Sequence, residues 1–496
     1  MPPRHRLALP LAAAHALFMF VWCALRHAAY GSRAHDLGAY HQIFFNASRG
    51  TLYNEIEGFH QWSAHFEVGL LWLAGPYRLH PTPLWLLATQ AIACAASGLV
   101  VERLARRALA DARLAVFAMA AALVTPQLLL AEHYDFHSIT VCTLPLAVMA
   151  LGVEEDRPIT LALGALVAMS IREQMGLALV AACVAWCVRH GLTRRRALVA
   201  AALSALGLGV FAAEVLWIIP SYAGPGPRVF RYVAHYRRLG DTPAAVLRFA
   251  LTHPLRTLGL ALDGERKTYL LELASGAALP TAFGLFYFGA NDPVRARIAR
   301  IWAAARRCLW PLVLATPLLA IQLLSAHPPT FSIHFQYGAP LVPLVAAGAV
   351  AGARELESRA RGGARLAVLA WLVATSLHAL VTFVPEAWDR GGPLDVAFFR
   401  SPRAAALARA TSLVPVGAYV SAQDAATPHL SGRVRRWPDA ADLADYVLLD
   451  ERGDPLASPT EIRAAAQELR REPGVRVLVD EAGVMLAQRR AGDADL

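Results

Sequence analysis

The stretch 7–29, LALPLAAAHALFMFVWCALRHAA, decides what kind of chain this is. It is almost wholly apolar, and crossing roughly 30 Å of hydrocarbon takes about 17–25 such residues. Arg4 and Arg6 precede it, which is also the layout of a secretory leader. A leader's apolar core is shorter, about 7–15 residues, and many further apolar runs follow here, so 7–29 reads as an uncleaved first span. Working outward, the same reading marks 83–104, 112–131, 138–152, 158–171, 174–189, 197–220, 268–289, 308–325, 336–352 and 364–384, eleven crossings in all. Stretch 66–79 is apolar but short and carries Glu67, Gly75, Pro76 and Arg78, so it is expected to lie along the interface.

Composition agrees. Of the 496 residues, 56% are hydrophobic and 17% charged; a soluble globule carries roughly 25% charged residues. Disorder is excluded by the same apolar excess. The class that remains is an all-α polytopic membrane bundle. All six cysteines lie in apolar runs with no paired spacing, so neither disulfides nor a thiolate metal site is indicated.

The net charge of +10 is unevenly spread. Residues 385–496 carry 14 Arg against 17 Asp and Glu, whereas residues 1–384 carry 33 basic against 20 acidic residues. With the N-terminus inside, the clusters Arg103/Arg106/Arg107, Arg157, Arg189/Arg194/Arg195/Arg196, Arg295/Arg297/Arg300/Arg306/Arg307 and Arg354/Arg359/Arg361/Arg365 all fall in cytoplasmic loops, as the positive-inside rule requires. The charge thus reports topology in a cytoplasmic membrane rather than a nucleic-acid partner. Only the long external loop 221–267 departs, with Arg228, Arg231, Arg237 and Arg238.

Past residue 384 the texture changes. Stretches 417–422, 446–450, 475–480 and 484–488 read as strands and 460–471 as a helix capped from Ser458. Residues 394–411 also read as helical. Residues 1–384 are therefore predicted to form the membrane domain, with an external loop at 30–82, and residues 385–496 a small external α/β domain.

With direction assigned, unusual polar residues gather on one side. The first external loop holds Asp36, Gln42, His65 and Glu67; the second turn holds His133, Asp135 and His137; the third holds Arg172 and Glu173; a later one holds His334 and Tyr337. Ionisable groups at membrane depth cost about 2.5–3.5 kcal/mol each on insertion scales, so a convergent set suggests a site. Each has a plainer reading. Asp36 suits the cap of a helix at 37–48, Arg172 and Glu173 suit a structural ion pair, and the histidines suit solvated loops. The runs His133-x-Asp135-x-His137 and His65-x-Glu67 have donors that suit a divalent metal, with His65, Asp135 and His137 as the candidate ligands.

These residues carry a resemblance. Asp36-Leu37-Gly38-Ala39-Tyr40-His41-Gln42, then Gly50, His65, Gly75-Pro76-Tyr77-Arg78-Leu79-His80-Pro81 and Gln90, resemble the pattern of a predicted membrane-protein family, family 2079 of the domains of unknown function. Its marks are D-L-G-x-[FY]-x-Q, H-F-x-P, P-L-Y-x-L-x-P and L-x-x-x-Q. The likeness continues in Asp135-Phe136-His137, Arg172-Glu173, His334 to Pro340, Val420 to Gln423, and Pro428 to Arg433. Departures are His41 in place of an acid or amide, Glu67-Val68 in place of a small residue and proline, and Arg172 in place of lysine.

The layout is in turn similar to that of GT-C glycosyltransferases, which take sugars from polyprenyl-phosphate donors. That resemblance implies Asp36 at the position of the catalytic acid, although Asp-Leu stands here where several such enzymes have two adjacent acids. It implies a catalytic set of Asp36, Arg172 and Glu173. Gln42, His65, Glu67, His133, Asp135, His137, His334, Tyr337, Arg228 and Arg231 would bind substrate. Asp36 would be the general base, and Arg172, with Arg228 or Arg231, would meet the leaving phosphate. Trp62, Trp72 and Tyr77 would stack on sugar or anchor the interfacial helix. Two other readings stay open: a transporter or flippase of a lipid-linked or polar substrate, and a non-catalytic membrane scaffold.

Overall fold

The computed structural model describes residues 7–224, 230–287, 301, 304–452 and 457–489. Helices Ala8–Ala28, Leu84–Ala108, Arg194–Ser221, Pro328–Arg359 and Gly363–Thr382 are each long and apolar enough to cross a bilayer. Two bent pairs pass the same test, Ala112–Leu123 with Pro126–Tyr134 at 46° and Gly264–Ala274 with Ala278–Phe286 at 85°. The first bend has a local cause: Thr125 is extended and Pro126, which lacks an N–H, restarts the helix at its first turn.

The expected eleven crossings are therefore not established. Four of them fall on the shorter apolar helices Ser138–Glu154, Pro158–Met169, Met175–His190 and Trp310–Leu324, so length and composition support five crossings, or seven with the bent pairs. The first three of these short helices pack on one another. Helices Ala8–Ala28 and Arg194–Ser221 bury only 22% of their apolar windows, leaving broad faces that suit lipid.

The described arginine loops do gather at one end; Arg295, Arg297 and Arg300 lie outside the described residues. There the buried Glu155 meets Arg103, Arg107 and Arg157, while Glu355 meets Arg307 and Arg359. Glu154, Arg189, Arg307, Arg354 and Glu355 line one small cleft.

At the opposite end, the segment after the first helix is irregular. Its backbone opens into a wide turn over Ala34–Gly38, where Gly38 N–H donates to the Arg33 carbonyl at 3.0 Å. Helix Ala39–Ala47 follows, then a two-residue hairpin of β1 (Tyr53–Asn54) and β2 (Phe59–His60). The stretch expected along the interface is a tight turn at Val68–Leu73 and a short helix at Ala74–Leu79, not a crossing.

The C-terminal unit sits on this same end. Its sheet runs β4 (Arg433–Arg436), β3 (Tyr419–Ala422), β5 (Tyr446–Asp450), β7 (Val484–Arg489), β6 (Val475–Glu481). The first three are parallel and the last two antiparallel to their neighbours. Strand β4 was not expected; its Arg-Val-Arg-Arg sequence hides a single buried Val434. Helix Pro459–Arg471 covers one face, started by a capping box between Ser458 and Glu461. The helix expected over 394–411 is two pieces, Val396–Phe399 and Pro402–Leu413, because Ser401 caps the second and Pro402 begins it.

The sheet unit is bolted to the first loop. Gln42 donates to the Gly432 and Val434 carbonyls, and Asp424 accepts from Ala34 N–H at 3.1 Å and from Arg33. Gly31 lies against Gly391, where a Cβ would stand 2.0 Å from the Gly391 carbonyl oxygen, so only glycine fits.

Candidate functional site

Asp36 sits inside the wide turn rather than capping a helix. Its Oδ1 lies 2.9 Å from His137 Nε2, and the Tyr134 hydroxyl bonds the same carboxylate. The turn is pinned on both sides: Ala34 N–H by Asp424, Arg33 N–H by Asp135 Oδ2 at 3.0 Å. Such widened turns are frequent at functional sites. Burial alone would raise the Asp36 carboxyl, but His137, Tyr134 and His35 outweigh it and hold it below its ordinary value.

Asp135 takes a different part. It is buried, adopts φ 144°, and bonds Arg26 at 2.7 Å. A non-glycine residue at such a φ stores strain of order 1–3 kcal/mol, which the surrounding bonds offset. Burial pushes its carboxyl up to about 6, against the pull of Arg26. Gln90 completes the turn, donating to the Glu132 and Asp135 carbonyls and accepting from His137 N–H at 2.9 Å. His137 keeps one ring nitrogen, Nδ1, buried and without a partner among the described residues.

Next to His137, Ser138 Oγ donates to Glu67 Oε1 at 2.5 Å, and the Tyr40 hydroxyl donates to the same oxygen at 2.9 Å. Glu67 also accepts from Gln61 and from Arg172 Nη1 at 3.3 Å. Glu173 turns instead to His65, 3.1 Å away. Burial would raise Glu173, but His65 and Arg172 bring it down to about 2. The Glu67 turn reaches the Arg172 turn because Gly69 N–H donates to the Ser170 carbonyl at 2.7 Å; a Cβ there would stand 2.2 Å from Ser170 Oγ.

Asp36 with His137, Glu67 with Arg172, and Glu173 with His65 are thus three bonded pairs, brought side by side because His137 precedes Ser138 and Arg172 precedes Glu173 in the chain. Tyr337 lies within electrostatic range of both Arg172 and Asp36. Arg172 Nε is buried with no partner among the described residues, a donor left over for an anionic oxygen.

Other expected residues stand apart. His133 accepts from Trp22 and faces Glu386 at 3.5 Å, Gln42 spends its amide on the sheet unit and Ile56 N–H, and His334 is exposed. Arg231 lies over the Phe59 ring at 3.7 Å, and Arg228 lies outside the described residues. Of the aromatics, Tyr77 is buried against His41, Trp72 is 58% exposed, and Trp62 packs on Phe66 and Tyr222.

The three candidate metal ligands do not converge. His65 bonds Glu173, Asp135 bonds Arg26 and His137 bonds Asp36. No group of three His, Cys, Asp or Glu side chains among the described residues is arranged to hold an ion.

Arg26, Tyr40, Tyr134, Ser138, Gln61 and Asp424 were not singled out from sequence. Tyr40 lies within a quoted family stretch, Asp424 directly follows another, and Arg26 is a lone charge at the end of an apolar run.

The architecture defines a polytopic membrane protein of GT-C-like fold. A crystal structure of ArnT from Cupriavidus metallidurans bound to undecaprenyl phosphate is similar at a TM-score of 0.54 and 14% identity, covering 98% of each chain. ArnT from the same organism in the apo state gives 0.51 and 13%, covering 97% of each. The sequence matches the family described as "Predicted membrane protein (DUF2079)" over residues 26–290 and 294–486, and the chain belongs to that family. No curated protein matches the sequence.

Proposed function

We propose that the chain is an integral-membrane glycosyltransferase that moves a sugar from a polyprenyl-phosphate donor to an acceptor hydroxyl. The observation that carries this is the Asp36–His137 pair standing beside the Ser138–Glu67–Arg172 chain of bonds, with His137 and Ser138 adjacent in sequence. The ArnT structure holding undecaprenyl phosphate supports a lipid-phosphate partner for the same fold.

In this reading the arginine-bearing end faces the cytoplasm and the sheet end faces outside the cytoplasmic membrane. The acceptor oxygen attacks the anomeric carbon of the sugar. Its proton passes to Asp36, oriented by His137 and Tyr134, as the bond from that carbon to the phosphate oxygen breaks. Polyprenyl phosphate leaves with the bonding electrons. Arg172 stabilises its charge through the free Nε–H, while Glu67 fixes the guanidinium and the Glu173 charge lies beside it. Residues 1–384 supply this chemistry and residues 385–496 hold the Asp36 loop in place.

The test is release of polyprenyl phosphate from a panel of polyprenyl-phosphate sugars by the purified protein in liposomes. Donor turnover that Asp36→Asn abolishes supports the reading. Substrate flux across the liposome without bond cleavage would replace it with transport, and neither activity would leave a scaffold.

A further inference from the structure

A second cavity lies on the flank of the sheet unit, apart from the Asp36 network. It is a groove of about 580 Å³ between the end of helix Ala8–Ala28 and the start of helix Pro402–Leu413, within the roughly 300–1,000 Å³ typical of small-molecule sites. Its walls are Ala28, Tyr30 and Phe398 on one side and Ala404, Ala405 and Ala408 on the other. A helix facing water carries polar residues on its outer face, yet Ala405 and Ala408 are exposed here. Their missing side chains are what leave the groove open.

The groove continues an apolar belt. Trp388, Leu394, Val396 and Phe399 are 63%, 41%, 51% and 43% exposed, and all follow closely on the last apolar helix, which ends at Thr382. Ala28 ends the first such helix, so belt and groove lie at the level where hydrocarbon gives way to headgroups. Trp at that level is an interfacial anchor. Arg400 is the one charged residue of the groove lining; it is exposed and forms no ion pair among the described residues. Helix Pro402–Leu413 adds its positive N-terminus beside it.

We propose that this groove holds one phospholipid with an anionic headgroup, its acyl chain along Ala404, Ala405 and Ala408 and its phosphate on Arg400. Continuity with the bilayer selects a lipid over a soluble ligand, and an arginine without an acid in the lining selects a negative headgroup. The site does not depend on the transfer reaction.

Native mass spectrometry of the full-length protein tests it, after exchange into micelles of equal phosphatidylglycerol and phosphatidylcholine. One retained phosphatidylglycerol is expected, with Arg400→Glu lowering retention about fivefold or more, the equivalent of about 1 kcal/mol. Arg400→Lys should keep it, and Ala405→Trp, on an exposed position, should expel lipid of either kind. Equal retention of the two lipids, unchanged retention in Arg400→Glu, or a second copy of the chain released by Ala405→Trp would each overturn the proposal. Thermal unfolding of each variant separates loss of lipid from loss of fold.

Discussion

His137 Nε2 meets Asp36 Oδ1 at 2.9 Å across two loops that are 101 residues apart in sequence. The imidazole thereby fixes the direction of a carboxylate that stays partly open to solvent, at 19% side-chain exposure. Asp36→Asn preserves shape and removes the proposed base, so donor turnover should fall by about 10²–10⁴-fold with the unfolding temperature unchanged. Full turnover in that variant would remove Asp36 from the reaction. His137→Gln should lower turnover less, because it disturbs orientation and leaves the carboxylate in place.

Arg172 separates into charge and geometry. Arg172→Met leaves Glu67 and Glu173 buried beside no guanidinium, and breaking a buried pair in this way costs about 3–5 kcal/mol. Thermal unfolding in detergent should show that loss. Arg172→Lys restores the charge but lacks the planar fork and the Nε–H, so it should fold and show a raised KM for the lipid donor. Equal KM values in Arg172→Lys and the parent would exclude the guanidinium from donor binding.

Much of this was legible in sequence, for identifiable reasons. Apolar runs and arginine clusters mark the bundle because water and lipid impose them on every residue of a span. Helix length did not, since Pro158–Met169 and Trp310–Leu324 stop short of a full crossing. Asp36, His65, Glu67, His137, Arg172 and Glu173 stand out in sequence as costly charges, and the fold pairs Asp36 with His137, Glu67 with Arg172 and His65 with Glu173. Their partners did not: Ser138 and Gln61 are ordinary polar residues whose role arises only when distant segments meet at Glu67. Gln42 closes the D-L-G-x-[FY]-x-Q pattern and His133 stands in the second external turn, so both read as site residues in sequence. Their side chains bond β4 and Trp22, neither of which sequence marks as a partner.

Gly31 and Gly391 set how closely the sheet unit approaches the bundle. Gly31→Ala drives a methyl into the Gly391 carbonyl, and overpacking of this kind costs about 1–3 kcal/mol. The contact lies between the Asp36 loop and the segment leading into the sheet unit. Protease cleavage near residues 388–401 should therefore accelerate in the variant, while the helical signal of the bundle stays intact. Unaltered cleavage would mean that the junction tolerates a shift the backbone contacts do not suggest.

The same junction predicts a dependence on pH. His429 lies between the rings of His27 and Tyr30, at 4.0 and 3.8 Å, and donates to the His27 carbonyl. His41 stands nearby, bonded to Tyr77 and to Ser431 of the sheet unit. The titratable groups facing them are the other imidazoles, Tyr30 and Tyr77, with Arg26 beyond His27 and no acid among the groups that shift their protonation. Burial lowers His41 to about 3 and His429 well below its usual value. In the unfolded chain each protonates near pH 6.5, so between that pH and the depressed value the unfolded or undocked state binds more protons. Stability from each histidine is therefore full above pH 6.5 and is lost as pH falls, at about 1.4 kcal/mol per pH unit. Hydrogen exchange across 419–436 should quicken between pH 6.5 and 5. His429→Phe keeps a ring between His27 and Tyr30 but cannot protonate, so its exchange should match the parent at pH 7.5 and lag behind it at pH 5. Parallel curves for the two proteins across that range would show that His429 is not the titrating group.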